Sequence, residues 1–288
     1  MEWNQSALYG LQKCGEWFRR AIMDRERMPP TLRMARGTAV HHIAKEAHKR
    51  QMVLAGIWTG ETPEFANEPG SIQAAIEAQD LAASAFTREV GAGVTLTKEE
   101  EDNAESTMGH HLDVVVRSAE RYVSGVAPGI VPVGVERKVT VKPQDSDLVI
   151  HGRMDVVEDL GISDEPGVSR EGIRDLKTSE KKPGPRVADD SQQLDMYALL
   201  HTAATGMMPR RLILDYIVAR KTGTDHFPLV TTRSEADLRS IVTRLNVATE
   251  AVRAGVFLPT NPSNWWCSPK FCEFFRTCPY VGSRGDRE

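Results

Sequence analysis

Long apolar runs are missing from this 288-residue sequence, and none approaches the roughly 20 residues that a helix needs to cross a bilayer. The opening MEWNQSALYGLQKCGEWFRR holds no apolar export-type stretch, so the expectation is a cytoplasmic protein with no membrane contact. Surplus positive charge is missing too. With 36 Lys and Arg against 40 Asp and Glu, the net charge of −4 excludes coating of nucleic acid by bulk charge and leaves only local basic strips. Cysteine is scarce at four residues, and in a cytosolic chain these are not expected to pair as disulfides. No G-x-x-x-x-G-K-[ST] loop occurs, which argues against an ATP-driven helicase activity within this chain. Internal repeats and low-complexity segments are absent. What remains, 40% hydrophobic and 26% charged, is enough to build a core without staples.

Hydrophobic periodicity predicts a helical first part, with helices over 3–24, 37–56, 71–90 and 98–124. Loops are expected at PPTLRMARG (29–37) and ETPEFANEPGS (61–71). From Val131 the pattern changes to short β-rich runs, VPVGVERKVTV, LVIHGRMDVVED and GIRDLKTS, parted by the turn-forming KPQDSD and LGISDEPGVSRE. A helix over 188–205 and the apolar strand RLILDYIVAR (211–220) follow. FPLVTTR reads as an edge strand, and the helix from Ser234 to about Gly255 has Ser234 and Asp237 suited to its first turn. The core order is αβββαβ in an α/β chain. We divide it into a helical part (1–97), a catalytic core (98–220) and a C-terminal strand, helix and cysteine cluster (221–288), all within one domain.

The chemistry concentrates in IRDLKT. Asp175 and Lys177 stand two apart across Leu176, so in a strand they share a face. Asp155, in HGRMDVVED on the preceding strand, is one hairpin away and antiparallel pairing can bring its head to the same end of the sheet. Two converging carboxylates suit a hard cation with oxygen ligands, Mg²⁺ or Mn²⁺. The lysine would then orient or deprotonate a water and stabilise charge on a phosphate. Alone, D-x-K is a common surface ion pair, so the surrounding pattern must decide.

That pattern resembles the PD-(D/E)XK nucleases in the form found in RecB-type exonucleases. Asp155 followed by Asp175-Leu176-Lys177 looks like the signature itself. GTAVH, Gly37 to His41, resembles the G-x-x-x-H helix motif, which implies a metal-ligand role for His41. QLDMY, Gln193 to Tyr197, resembles the Q-x-x-x-Y motif, and WNQSALYGLQKC resembles the N-terminal segment ending in a cysteine, here Cys14. The resemblance implies a restriction-endonuclease-like fold and a metal-dependent DNA exonuclease.

Beside the resemblance, the residues speak for themselves. Gln193 and Tyr197 are four apart on one helix face, where they can contact the lysine strand or substrate phosphates; helix-surface polarity with a core tyrosine is the plainer account. His42 and His48 are assigned no role. Glu136, on the first core strand, is either an active-site residue or a strand residue paired with a basic neighbour. Lys181, Lys182 and Arg186, in KTSEKKPGPR, form either a DNA-backbone contact or a solvated loop.

Cys14, Cys267, Cys272 and Cys278 number enough for one cluster or one zinc. The one-plus-three arrangement resembles RecB-type nucleases with an iron-sulfur staple, which implies a four-iron, four-sulfur (4Fe-4S) cluster joining the two ends of the chain. Its C-terminal spacing, C-x₄-C-x₅-C, departs from the usual C-x₂-C-x₅-C; zinc is the alternative. The expected partners are DNA and, as separate proteins, a helicase or recombination protein, or a CRISPR adaptation protein if the chain trims spacer precursors. A noncatalytic DNA-binding module retaining the fold is the alternative from another class, and the complete Asp, Asp, Lys and His set speaks against it.

Overall fold

The computed structural model describes residues 1–26, 28–144, 147–269 and 271–282. Part of the turn expected at KPQDSD and the end of the 221–288 segment lie outside the described residues.

The αβββαβ order is observed, from helix α6 (Ala104–Gly125) through β2 (Pro132–Val141), β3 (Val149–Asp159), β4 (Glu171–Ser179) and α7 (Gln192–Thr205) to β5 (Arg211–Arg220). β2, β3 and β4 pair antiparallel, whereas α7 carries the chain across so that β5 runs parallel to β4. β6 (Gly223–Thr231) pairs antiparallel with β5 at the edge, beginning four residues earlier than expected because a tight turn at Lys221 and Thr222 lets Arg220 pair with Gly223. This mixed sheet with helices on both faces is the restriction-endonuclease-like α/β fold.

One face is covered by α3 (Leu32–Leu54), α4 (Ile72–Gly91) and α6, which bury Val156, Leu176 and Ile217 of the sheet. The other is covered by α1 (Gln5–Lys13), α7 and α8 (Glu235–Arg253), against Met154, Val157, Ile173 and Leu214. Ser234 and Asp237, read from sequence as suited to a first turn, close a capping box, and at the start of α4 the Ser71 hydroxyl accepts the Ala74 amide.

Helix boundaries also differ from expectation. α7 begins at Gln192 under a Ser191 cap, four residues after the expected start at 188. α3 begins at Leu32 under a Thr31 cap, so Gly37 is inside the helix; it lies where α3 passes β4, with Thr178 Oγ1 3.7 Å from where a Cβ would stand. The helix expected over 98–124 breaks at Asn103, whose backbone leaves the helical region, into α5 (Lys98–Asp102) and α6. The first helix is interrupted at Cys14 and resumes as α2 (Gly15–Phe18) before a π-helical turn over Arg19–Met23. The cause is a close approach of chain ends: the Gly15 amide donates to the Leu258 carbonyl at 2.7 Å, and a Cβ on Gly15 would meet the Phe257 carbonyl carbon at 2.4 Å.

A short strand that the sequence did not signal, β1 (Glu2–Trp3), pairs parallel with Val149 and Ile150 of β3. Ile150 also pairs with Val141 of β2, so β1 must occupy the edge of β3 that faces β4. β3 and β4 pair only from Val156 and Arg174 onward, and β1 fills the far end of the fork between them. Asp155 stands at the fork. Among the described residues no helix is long and apolar enough to cross a membrane.

Candidate active site

Where β3 and β4 part, the Asp155 Oδ2 atom takes the place of a strand partner and accepts the Leu176 amide at 3.0 Å. The same oxygen lies 3.2 Å from His41 Nδ1 on α3. Asp175 projects from β4 to the α7 side and is only 2% exposed. Its Oδ1 accepts from Gln193 Nε2 at 2.5 Å, and the Tyr197 hydroxyl is 3.2 Å away. Lys177 Nζ is 2.5 Å from Asp175 Oδ2 and donates to Gln193 Oε1 at 2.8 Å.

Gln193 therefore bridges the two residues of the D-x-K triplet, its amide oxygen holding the lysine and its nitrogen the aspartate. Tyr197 completes the arrangement by accepting from Gln193 at 2.8 Å while its hydroxyl reaches the Arg153 carbonyl, also at 2.8 Å. The four-residue spacing on α7 makes this geometry: both side chains leave one helix face toward β3 and β4. The contact to the lysine strand, one of the two roles expected from sequence, is the one formed.

The two carboxylates differ in electrostatics. Burial, and then the neighbouring Asp155 charge, push Asp175 up to about 6, although Lys177 pulls in the other direction. Burial also raises Asp155, but the His41 hydrogen bond and charge and the Leu176 amide outweigh it, leaving the carboxyl below its usual value. His41 mirrors this: burial pulls it down, the Asp155 hydrogen bond and charge prevail, and its pKa ends above the usual range.

A divalent cation fits this donor set. Asp175 Oδ2 is buried without a well-directed hydrogen bond, the Lys177 ammonium being close but out of line, and two mutually repelling carboxylates with an imidazole beside them are hard-cation ligands. Among the described residues, no three His, Cys, Asp or Glu side chains stand close enough together to hold one ion. Asp155 is instead engaged by His41 and Asp175 by Lys177.

Glu136 lies on β2 and is paired with a basic neighbour, the second of the two descriptions that the sequence left open. It lines a cleft of about 270 Å³ together with His41, Lys45, Tyr122, Asp155 and Arg174, and it is paired at 2.7 Å with Arg153 on the neighbouring strand. Its φ of 51° is left-handed, which is costly for a residue with a Cβ. His42 pairs with Glu64, and His48 is buried against Tyr122 and Gln51, so neither joins the site. Of the basic strip, Lys182 lies over the Phe227 ring of β6 and Arg186 pairs with Asp190.

Two buried charge clusters behind the site went unread in the sequence. Arg174, adjacent to Asp175 but on the opposite face, lies 2.8 Å from Glu158 and 2.8 Å from Asp215, which His226 also contacts at 2.7 Å. Arg36, buried on α3, pairs at 2.5 Å with Glu180 at the exit of β4. Single charges inside the apolar runs GIRDLKTS and RLILDYIVAR were the available signal, since a charge in such a run must be paired.

All four cysteines line one pocket, with Trp266 and Phe274 in its walls. The Thr260 amide points at Cys14 Sγ from 3.4 Å, and no disulfide joins these four described residues. Burial pushes the Cys272 thiol up to about 11.

The family model of the PD-(D/E)XK nuclease superfamily matches residues 2–279, nearly the whole chain. The chain belongs to the PD-(D/E)XK nuclease superfamily. In this PD-(D/E)XK chain the D-x-K triplet is Asp175-Leu176-Lys177, and Met154 precedes Asp155 where the superfamily's name has proline; Met154 is fully buried in the core on the α7 side. Among solved structures, the chain is similar to the protein SSO0001 at 15% identity and a TM-score of 0.35, over 82% of this chain and 95% of that one. It is also similar to a "putative exonuclease" from Eubacterium rectale at 16% identity and a TM-score of 0.34, over 75% of this chain and 78% of that one. No curated protein matches it.

Proposed function

We propose that this member of the nuclease superfamily is a Mg²⁺- or Mn²⁺-dependent deoxyribonuclease acting as an exonuclease. The observation that carries the reading is the Gln193 bridge, which holds Asp175 and Lys177 in one rigid unit beside Asp155. A ground-state arrangement that fixes an acid and an ammonium within 2.5 Å at a fork in the sheet is a preorganised polar site, and preorganisation is what phosphoryl chemistry needs from a protein.

In this reading Asp155, Asp175 and His41 hold the cation. When bound, a divalent ion supplies Lewis acidity at a phosphate oxygen and a more acidic water. The rest is done by the chain. Lys177, whose side chain is one-third exposed, orients the attacking water and offsets negative charge building on the phosphate. Gln193 and Tyr197 keep Lys177 and Asp175 from rotating out of line. The test is degradation of end-labelled single- and double-stranded DNA with Mg²⁺ or Mn²⁺ by wild type and Lys177→Ala. Metal-dependent loss of label in wild type alone is the expected result, and no cleavage by metal-replete wild type would overturn the reading in favour of a noncatalytic DNA-binding module.

The four cysteines around one cavity support the second part of the proposal, a 4Fe-4S staple of structural role. Four thiols around one pocket match the ligand number of a 4Fe-4S cluster, with a single zinc ion as the alternative. Iron and acid-labile sulfide analysis of anaerobically purified protein tests this; stoichiometric zinc would replace it. The C-x₄-C spacing, unlike that of CRISPR-associated relatives, favours a cytoplasmic role in recombination and repair beside a separate helicase.

A further inference from the structure

The face of the sheet that carries Asp155 also carries two cations with no assigned work. A Cβ on Gly152 would meet Leu200 of α7, and Met154 packs in the core on that side, so Arg153 between them points away from α7. On β2, Val133, Val139 and Val141 pack toward α7, so Glu136 and Lys138 also point away from it. The register sets Lys138 directly across from Arg153. Both are exposed, Arg153 with 61% of its side chain in solvent.

Like charges directly opposite on neighbouring strands repel. Here the only relief is Glu136, which contacts Arg153; among the described residues Lys138 has no acidic partner. The two cations and one carboxylate leave a local charge of +1, which one phosphate would neutralise. Arg153 is two residues from Asp155 on the same strand, about 7 Å along it, so a phosphate bound there would neighbour one held at Asp155.

Glu136 is the second half of the observation. It occupies the register position opposite Asp155, the one position in that run where the β2–β3 ladder is interrupted, and its backbone is left-handed. Its carboxylate lines the same cleft as Asp155 and His41 but is turned to Arg153. A carboxylate at the edge of a cation site, held by an exposed arginine, can change partners if the arginine finds a better one. Guanidinium binds phosphate in a bidentate fork, which can replace the contact that Arg153 Nε makes to Glu136 Oε2 at 2.7 Å.

We propose that Lys138 and Arg153 form a clamp for the backbone phosphate next to the scissile one, and that this phosphate takes Arg153 from Glu136 and frees the Glu136 carboxylate for the cation beside Asp155. The inference rests on the nuclease reading above. It makes DNA and metal binding mutually reinforcing, each tightening the other by the same factor.

The experiment uses the full chain carrying Lys177→Ala, which prevents turnover, with a short fluorescent single-stranded oligonucleotide and Mn²⁺ as probes. Lys138→Gln and Arg153→Gln should each weaken DNA binding and reduce the slope of log affinity against log salt by about one, whereas Arg239→Gln on the exposed face of α8 should change neither. Calorimetry should show Mn²⁺ binding at least fivefold tighter with DNA present, and this enhancement should vanish in Arg153→Gln and in Glu136→Gln. Arg153→Lys should keep the salt slope, and unchanged circular dichroism guards against misfolding. Parent-like salt slopes in both clamp variants, or an enhancement that survives Glu136→Gln, would overturn the clamp while wild-type cleavage still upheld the nuclease. Absence of both cleavage by wild type and binding by the parent would remove the nuclease reading and the clamp together.

Discussion

Asp155 accepts the backbone amide of Leu176 at 3.0 Å, at the point where the two strands carrying them stop pairing. This one bond joins the two halves of the site, since Leu176 sits between Asp175 and Lys177. Loss of the Asp155 side chain therefore removes both a proposed cation ligand and the anchor of the fork. Asp155→Asn keeps an oxygen that can accept this amide. We expect it to fold with near wild-type stability yet lose Mn²⁺ binding, as measured by calorimetry, whereas Asp155→Ala should lose binding and about 1–3 kcal/mol of stability. Equal stability of the two variants would refute the anchoring role.

Gln193→Ala removes the bridge without touching a charged group. Freed from it, Lys177 and Asp175 can rotate out of line, and misplacement by about 1 Å costs on the order of 100-fold in rate. Single-turnover cleavage at saturating Mn²⁺ should fall by that order with little change in DNA affinity. A variant that binds weakly but turns over normally would place Gln193 on the substrate instead.

Stability should depend on pH through Asp175. Its carboxyl is raised from 3.8 to about 6 in the fold, so between those values the folded state holds a proton that the unfolded chain releases. The contribution of Asp175 to stability is thus greatest below about pH 4, falls as pH rises to about 6, and is flat beyond. Asp175→Asn should stabilise the metal-free protein at pH 8 by on the order of 1–3 kcal/mol and leave it nearly unchanged at pH 4. Urea unfolding at the two pH values checks this, and destabilisation at pH 8 would show that the Lys177 ion pair outweighs burial.

Arg174→Met should be strongly destabilising, by about 3–5 kcal/mol in denaturant unfolding, because it leaves Glu158 and Asp215 buried with their counter-charge gone. Replacing Arg174, Glu158 and Asp215 together with apolar residues should recover much of that loss. A mild effect of the single substitution would mean that water reaches the cluster.

Gly15→Ala tests the junction of the chain ends. Its Cβ would stand 2.4 Å from the Phe257 carbonyl carbon and 2.5 Å from the Leu258 nitrogen, both backbone atoms that cannot rotate away. We expect a loss of about 1–3 kcal/mol and, because Cys14 is the adjacent residue, a lower iron content in the purified protein. Retention of iron would separate the cysteine cavity from this contact.

The β-rich runs, their order and the helix starts at Ser71 and Ser234 were legible because alternation and capping are local: each is written within a few residues and survives any tertiary arrangement. The same holds for the shared face of Asp175 and Lys177 and for that of Gln193 and Tyr197. Gly37 misled because glycine usually breaks a helix, whereas here the Thr31 cap starts α3 earlier and Gly37 sits beside Thr178. Cys14 misled in the opposite direction. Its helix continued by periodicity, but the contact of the Gly15 amide with the Leu258 carbonyl, 243 residues away in sequence, broke it.

Local spacing, then, sufficed to single out the residues that the proposed chemistry uses. Which partner each one takes was not readable: that Gln193 spans Asp175 and Lys177, that Glu136 faces Asp155 yet is held by Arg153, that Arg174 is shared by Glu158 and Asp215. Periodicity sets the direction in which a side chain leaves its own element, and it says nothing of the distance to another element. That distance follows from strand register and from where β3 and β4 part, and both are fixed by the packing of the two cores on either face of the sheet.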